Sequence, residues 1–329
     1  MQKYSIGYNH DPVMIKLIEA AKDHLSGFYF PMPSEFMGSG RALKQGSNYE
    51  EEIDEIIKTC NKCSVKSELL INPSCEGSKA CTKEQIGKVI SYVKELYSKG
   101  LKSVIITNPV YIPKLKKLGI EIQSSVNCYV KTVEHALFLK DMGADVITID
   151  RDINRDLGLI KEIKKNTGLK VKMLVNEGCL RNCPFRKIHF NMISHFCDTN
   201  EFDKRSCITL IKKHPEKFFS IPFVRPEDIR NYGFVDYFKL ATRTMATGKI
   251  GLILDAYVNE KFEGDLLFLL STKALFEYFT DVDNKVLTEN NFFEHMQKCR
   301  NQCEQCSYCR EMLEKAANIS KTYAYSGKP

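Results

Sequence analysis

Short apolar runs alternate with longer amphipathic stretches along the first 250 residues of the chain. The short runs are typical of buried strands, and the longer stretches repeat their apolar positions at helical spacing. The predicted strands are 4–8, 27–31, 68–73, 103–108, 121–125, 145–150, 170–175 and 236–240. The predicted helices are 12–24, 49–59, 83–98, 112–118, 130–142, 154–166 and 248–259. The alternation predicts parallel strands linked by helices.

Glycine follows several of these helices, as in SKGLKS, KLGIEI, DMGADV and NTGLKV. A glycine there ends a helix in the left-handed conformation before the next strand. Eight strands with their helices in about 260 residues predict an α/β fold, a TIM-like (β/α)8 barrel. A doubly wound open sheet is the alternative. We divide the chain into a barrel, residues 1–265, and a C-terminal extension, residues 266–329.

Polar residues follow most of the predicted strands. In a (β/α)8 barrel these positions face a common mouth where the active site lies. We take six of them as candidate catalytic residues: Asn9, Glu35, Asn176, Glu177, Lys239 and Arg243. Further polar residues at the mouth are Asn72, Asn108, Asn127, Asp150 and Arg151. Asn and Asp also favour turns and helix caps, but together these side chains predict a pocket for a polar substrate.

The connection between the seventh and eighth strands is unusually long, at residues 176–232. Long loops inside compact domains are usually functional. This one carries Cys179, Cys183 and Cys207, which we predict to bind a metal cluster beside the pocket. Cys197 is the candidate fourth ligand. His189 or His195 could replace it, or one iron could stay open to bind substrate.

Composition narrows the class of protein. The chain has 329 residues, 43% of them hydrophobic, and a net charge of +7 without a long basic block. No apolar run is long enough to span a membrane and the N-terminus is charged throughout, so we expect a cytoplasmic protein with no membrane partner. In that compartment the 13 cysteines are expected to stay reduced, which favours metal binding over disulfides.

NEGCLRNCPFR after the seventh strand, VRPEDI before the eighth and DYFKLATRT within it resemble the peptidase U32 family. The resemblance covers residues 1–265 and includes collagenase-like members and the paired proteins of anaerobic ubiquinone hydroxylation. It implies a barrel with a [4Fe-4S] cluster at the mouth. It also implies oxygen-independent hydroxylation of a quinone precursor, of transfer RNA or of ribosomal RNA. By the same resemblance Lys239 and Arg243 contact an anionic part of the substrate.

The C-terminal extension carries a second cysteine motif, Cys299, Cys303, Cys306 and Cys309. The first three have the spacing of radical SAM enzymes. However, that motif belongs after the first strand, and here a fourth cysteine is ready to complete the coordination. We predict a second [4Fe-4S] cluster or a structural zinc ion. Of two other pairs, Cys60 with Cys63 and Cys75 with Cys81, the first is expected to be non-catalytic, whereas Cys75 follows the third strand near the mouth and is a further candidate cluster ligand.

These observations predict an iron–sulfur-dependent enzyme that modifies a polar substrate, namely RNA, a quinone precursor or a peptide, by oxygen-independent hydroxylation or a related redox step. A U32-type peptidase with a structural metal site is one alternative, although the chain has neither a GxSxG nor an HExxH motif. A non-catalytic partner of a second U32-like protein, in a homo- or heterodimer, is the other. The sequence does not identify the electron donor.

Overall fold

Eight parallel strands close into a barrel in the order in which they occur along the chain, with β1 paired to both β2 and β8. The computed structural model describes residues 2–37, 39–41, 45–195, 207–271 and 279–319. The strands are β1 Tyr4–Gly7, β2 Leu25–Pro31, β3 Lys66–Ile71, β4 Ser103–Ile106, β5 Glu121–Ser124, β6 Val146–Thr148, β7 Lys170–Leu174 and β8 Tyr237–Lys239. All eight predicted strands are confirmed, and the doubly wound alternative is wrong.

Helices follow the strands around the outside of the barrel. They are α1 Val13–Ala21, α2 Tyr49–Lys62, α3 Lys83–Ser98, α4 Ile112–Lys116, α5 Val133–Met142, α6 Leu157–Thr167, α7 Arg186–Ser194, α8 Cys207–Lys213 and α9 Thr247–Val258. The helix predicted from residue 130 begins three residues later, because the Thr132 hydroxyl accepts a hydrogen bond from the His135 amide and caps the first turn. Gly143 and Gly168 end α5 and α6 with φ of 113° and 66°, the expected left-handed stop.

The barrel interior contains a buried ion pair. Lys172 Nζ of β7 lies 2.7 Å from Glu68 Oε1 of β3, and Ser5 and Gln123 donate further hydrogen bonds to the same carboxylate at 2.7 and 2.8 Å. Gly27 makes room for it, since a Cβ atom there would lie 2.4 Å from the Glu68 carboxyl group. The lumen therefore contains a polar network below the mouth in which the Glu68 carboxylate is paired through both of its oxygens.

The C-terminal segment packs against the barrel. Its elements are β9 Phe279–Val282, α10 Asn284–Glu289, α11 Phe292–Gln297, α12 Tyr308–Ala316 and β10 Ala317–Ile319, and β10 pairs antiparallel with β9. The ring of Phe292 stacks on Phe223, at 5.8 Å between centroids, and the Arg155 guanidinium lies 5.3 Å from the Phe292 ring centre. Buried residues of this segment and of the barrel form one continuous hydrophobic core.

Among the described residues, no helix has the length and apolar character needed to cross a bilayer.

Candidate active site at the barrel mouth

A small cavity of about 60 Å³ opens at the C-terminal ends of the strands. The residues that line it come from the ends of β2, β7 and β8, from α7 and from the loops that follow several of the strands. The charged ones among them are Arg41, Arg151, Glu177, Lys239 and Arg243. Four basic side chains and one carboxylate thus surround a space that holds only a few atoms, an arrangement that favours an anionic group.

Arg151 is the most unusual of these residues. It follows β6, is 2% exposed, and lies with its guanidinium 5.2 Å from the ring centre of Phe190. Its Nε contacts Oε2 of Glu177 as an ion pair, in an orientation that makes no hydrogen bond. Its two terminal nitrogens have no hydrogen-bond partner among the described residues. A buried guanidinium is costly unless its donors are satisfied, and in the arrangement described these donors are both unpaired and shielded from solvent.

Lys239 ends β8 and is 8% exposed. Its Nζ lies 4.0 Å from the centre of the Tyr29 ring. Burial, together with the charges of Lys172 and Arg243, lowers the pKa of Lys239 from 10.5 to about 7, although Glu68 and Glu177 oppose the shift. At neutral pH a large fraction of this amine is therefore uncharged and able to accept a proton.

The remaining two basic side chains of the cavity are those of Arg243 and Arg41. Arg243 donates a hydrogen bond to Ser39 Oγ at 2.7 Å, and burial lowers its pKa to about 10, which leaves it cationic at neutral pH. Arg41 Nη2 lies 3.8 Å from Glu177 Oε1. Glu177 therefore faces two guanidinium groups, Arg41 and Arg151, and its carboxylate is the counter-charge that holds both at the mouth.

Three of the six candidate catalytic residues line the cavity, namely Glu177, Lys239 and Arg243. The structure places the other three elsewhere. The Asn9 amide donates to the carbonyl of Met245 at 2.9 Å, and Glu35 is exposed. Asn176 donates to the Leu269 carbonyl at 3.0 Å and accepts from the Ala241 amide at 2.7 Å. Both asparagines thus join backbone segments around the mouth.

The loop that carries the first cysteine pair is fixed by Arg186. Its guanidinium binds Asp152 through two hydrogen bonds of 2.6 and 2.7 Å, and its Nε donates to Cys179 Sγ at 3.3 Å. Burial raises the pKa of Cys179 to about 11, and the charge of Glu177 adds to this, although Arg151 and Arg186 oppose it. Cys179 is therefore a thiol at neutral pH in the arrangement described.

The predicted cluster ligands are only partly described. Cys183 and Cys207 are half-buried and pack against the core, whereas Cys197 lies outside the described residues. In the part of the chain that the structure describes, no three His, Cys, Asp or Glu side chains stand together as a set of metal ligands. The described side chains, as arranged, do not form a ready site for an iron–sulfur cluster at the mouth, and the cluster stays a prediction. His189 and His195 are described but join no such set.

Several residues of the cavity were not among the catalytic candidates. Tyr29 and Arg41 belong to β2 and to the segment that follows it, and Phe190 belongs to α7 of the long connection. Arg151 was expected at the mouth, and its position directly after a strand was the available signal. Arg41 lies ten residues beyond the end of β2 in an irregular segment, where no periodic pattern indicates the direction of a side chain.

Comparisons with known proteins give consistent similarities. The model of a family described as Peptidase family U32 matches residues 35–182. An uncharacterized protease of Methanocaldococcus jannaschii is 34% identical over 291 residues, which cover 87% of this chain and 87% of that protein. The solved structure of the U32 peptidase Mk0906 covers 73% of this chain and 92% of its own, with a TM-score of 0.54 and 16% identity. This last similarity concerns the fold.

Proposed function

Because the chain belongs to the peptidase U32 family, we propose that it is an enzyme that modifies a polar, anionic substrate at the mouth of its barrel. The observation that carries this proposal is the buried Arg151 guanidinium, whose two terminal nitrogens have no partner among the described residues and which lines the cavity. The planar fork of an arginine matches a carboxylate or a phosphate in bidentate geometry. The group bound at the mouth is therefore a carboxylate or phosphate.

The cavity volume restricts how the substrate binds. About 60 Å³ admits an end group but not a whole nucleotide or peptide residue. The substrate therefore inserts one anionic group between Arg151, Arg243 and Lys239 and leaves its remainder outside. RNA, a quinone precursor and a peptide all stay candidates, provided that each presents such a group.

Lys239 is the residue of this chain that is suited to proton transfer. With a pKa of about 7 the amine accepts a proton from a substrate atom at neutral pH, and the cations around it stabilise negative charge that develops there. Glu177 is a less suitable base, because its carboxylate is paired with Arg151 and Arg41. We therefore assign Lys239 as the general base and Arg151 and Arg243 as the substrate-binding cations.

Two reactions are compatible with this arrangement. Oxygen-independent hydroxylation would use an iron–sulfur cluster held by Cys179, Cys183 and Cys207 with a fourth ligand, and such a cluster supplies electron transfer or an open iron site. Peptide hydrolysis is the second candidate, and it fits the name of the 34% identical relative, an uncharacterized protease. Both need the same binding of an anionic group at Arg151.

Anion binding tests the proposal directly. Inorganic phosphate and acetate are titrated calorimetrically into the purified protein, into Arg151→Met and into Arg230→Met, a matched control at an exposed arginine. We expect Arg151→Met to weaken binding at least about tenfold, the cost of a lost charge-assisted pair. Arg230→Met should bind as the native chain does. Equal affinities for all three proteins would contradict the proposal.

A second experiment separates the two reactions. Protein purified without oxygen is analysed for iron and for cleavage of denatured collagen, with Cys179→Ala and Lys239→Met as variants. Hydroxylation requires about four iron atoms per cluster, with loss of that iron in Cys179→Ala. Hydrolysis requires cleavage that Lys239→Met abolishes. An iron-free native protein excludes the first reaction, and intact collagen excludes the cleavage of that substrate.

A further inference from the structure

The four cysteines of the C-terminal segment line one cavity of about 370 Å³. Its walls come from the end of α11, from the loop between α11 and α12, and from Glu216, Lys217 and Ser220 in the 3-10 turn Pro215–Ser220. That turn belongs to the long connection between β7 and β8. The cavity therefore lies between the C-terminal segment and the long connection of the barrel. It shares no lining residue with the cavity at the mouth.

The backbone brings three of the thiols to this cavity from the segment between α11 and α12 and the fourth from the start of α12. Cys299 follows α11 and Cys309 lies in the first turn of α12, and both are half-buried against the core. Cys303 and Cys306 are exposed on the loop between them. Asn301 has a left-handed backbone, with φ of 59°, which turns the chain between Cys299 and Cys303. Two anchored thiols and two on a short loop are suited to closing around a soft metal.

Positive charge surrounds the same cavity. Lys217, Lys298, Arg300 and Arg310 all line it. Four thiolates with one divalent ion carry a net charge of about −2, because four negative charges outweigh two positive ones. The four basic side chains that line the cavity are placed to compensate that charge.

The cavity is linked to the loop that carries the barrel cysteines. Arg181, between Cys179 and Cys183, donates a hydrogen bond through Nη1 to Asn301 Oδ1 at 3.4 Å. Arg155 and Arg181 also share a smaller neighbouring cavity with Cys299. A ligand held by the C-terminal cysteines would therefore fix the loop 299–309. That loop contacts the loop of Cys179 through the hydrogen bond between Asn301 and Arg181.

We propose that Cys299, Cys303, Cys306 and Cys309 bind one metal centre that fixes the loop 299–309 beside the long connection of the barrel. The centre is either zinc or an iron–sulfur cluster, since both take four thiolates. The four side chains are not yet gathered as ligands in the arrangement described. Metal sites seldom exist preformed without the metal, and the exposed thiols of Cys303 and Cys306 have room to move inward.

Metal content and thermal stability test this site. The native chain, Cys303→Ala/Cys306→Ala and Cys179→Ala are purified under reducing, oxygen-free conditions, and zinc, iron and acid-labile sulfide are measured per chain. We expect the double variant to lose one metal centre that Cys179→Ala retains. Zinc alone identifies a zinc site, whereas iron with sulfide and a visible absorption band identifies a cluster.

The measurement of unfolding temperature asks whether the metal stabilises the folded chain by fixing the loop 299–309. We expect the double variant and the chelator-treated native chain both to unfold at a lower temperature than the untreated native chain. Cys303 and Cys306 are exposed, so their substitution removes no core packing. A native chain that contains no metal, or a double variant that keeps all of it, overturns the proposal. The anion-binding result at Arg151 is independent of either outcome.

Discussion

The amine of Lys239 lies 4.0 Å from the centre of the Tyr29 ring, at the floor of the mouth cavity. The Tyr29 hydroxyl donates to the carbonyl of Leu240 at 2.6 Å, which fixes the ring in the lumen. Gly7 allows that position, because a Cβ atom there would lie 2.3 Å from the ring. An aromatic face attracts a cation weakly compared with a carboxylate, so the ring does not restore the ordinary pKa of the amine.

The first prediction concerns the titration of Lys239. Its acetylation by acetic anhydride, measured by mass spectrometry across pH 5–10, should show a midpoint near pH 7, as the shifted pKa requires. Lys172→Met should move the midpoint upward, because the charge of Lys172 is one cause of the low pKa. Exposed Lys62 in the same digest serves as the internal control. A native midpoint above about pH 9 would contradict the assigned environment.

The second prediction concerns stability against pH. The pKa of Lys239 is lower in the folded chain than in the unfolded chain, so between pH 7 and about 10 the unfolded state binds more protons. The free energy of unfolding should therefore rise with pH in that window. Relative to Lys239→Met, the native chain should gain about 2–3 kcal/mol between pH 7 and 9. Urea unfolding of both proteins at several pH values measures the difference, and parallel curves would refute it.

The third prediction concerns Glu177. Glu177→Gln removes the carboxylate that opposes Arg151 and Arg41, so a bound anion no longer competes with it. We expect phosphate to bind about tenfold more tightly, which corresponds to about 1.4 kcal/mol. The fold should lose about 1–3 kcal/mol, since Arg151 then lacks its ion-pair partner. Calorimetric titration and urea unfolding report the two effects separately, and weaker phosphate binding by the variant would argue against competition.

The fourth prediction concerns the ion pair in the lumen. Glu68→Gln leaves the 1% exposed Lys172 without its counter-charge and should cost about 3–5 kcal/mol of unfolding free energy. Glu68→Met/Lys172→Met removes both charges and should cost much less, because neither is left unpaired. The exposed pair Lys62 and Glu19 supplies a control, and its removal should cost at most about 1 kcal/mol. A double variant less stable than Glu68→Gln would contradict this account.

The fifth prediction concerns Phe292 of α11. It is 2% exposed, and Phe223, Arg155 and Arg225 all contact its ring. Phe292→Ala should cost about 3–5 kcal/mol. Because the C-terminal segment shares the core of the barrel, the whole chain should still unfold in one transition. Far-ultraviolet and near-ultraviolet circular dichroism should give the same midpoint, whereas an unchanged barrel transition would mark the segment as independent.

The sequence predicted the barrel because its signal is periodic. Each strand is a short apolar run, and Gly143 and Gly168 stop helices where the pattern requires it. The candidate site was predicted less completely, because the mouth is built from irregular segments. Asn9 and Asn176 have the residue type and position of ligand-binding groups, yet backbone atoms take up their hydrogen bonds.

The loop of Cys179 shows a second reason why the sequence did not predict the whole candidate site. Its conformation depends on Arg186, which reaches back to Asp152 from the other end of the loop. A contact of this kind joins two residues 34 positions apart with no periodic pattern between them. The spacing of the cysteines therefore drew attention to Cys179 and Cys183, but it did not indicate that Arg186 is the hydrogen-bond partner of Cys179.

The weakly basic amine of Lys239 has a consequence for the heat that accompanies binding. An anion seated beside Arg151 stabilises the ammonium form and raises the pKa of the amine. At pH 8, where free Lys239 is mostly neutral, the complex takes up a fraction of a proton from the buffer, and the amine that stays neutral acts as the general base. The observed enthalpy of association then depends on the ionisation enthalpy of that buffer, and affinity falls as the solution becomes more alkaline. Substrate and proton thus enter the barrel together.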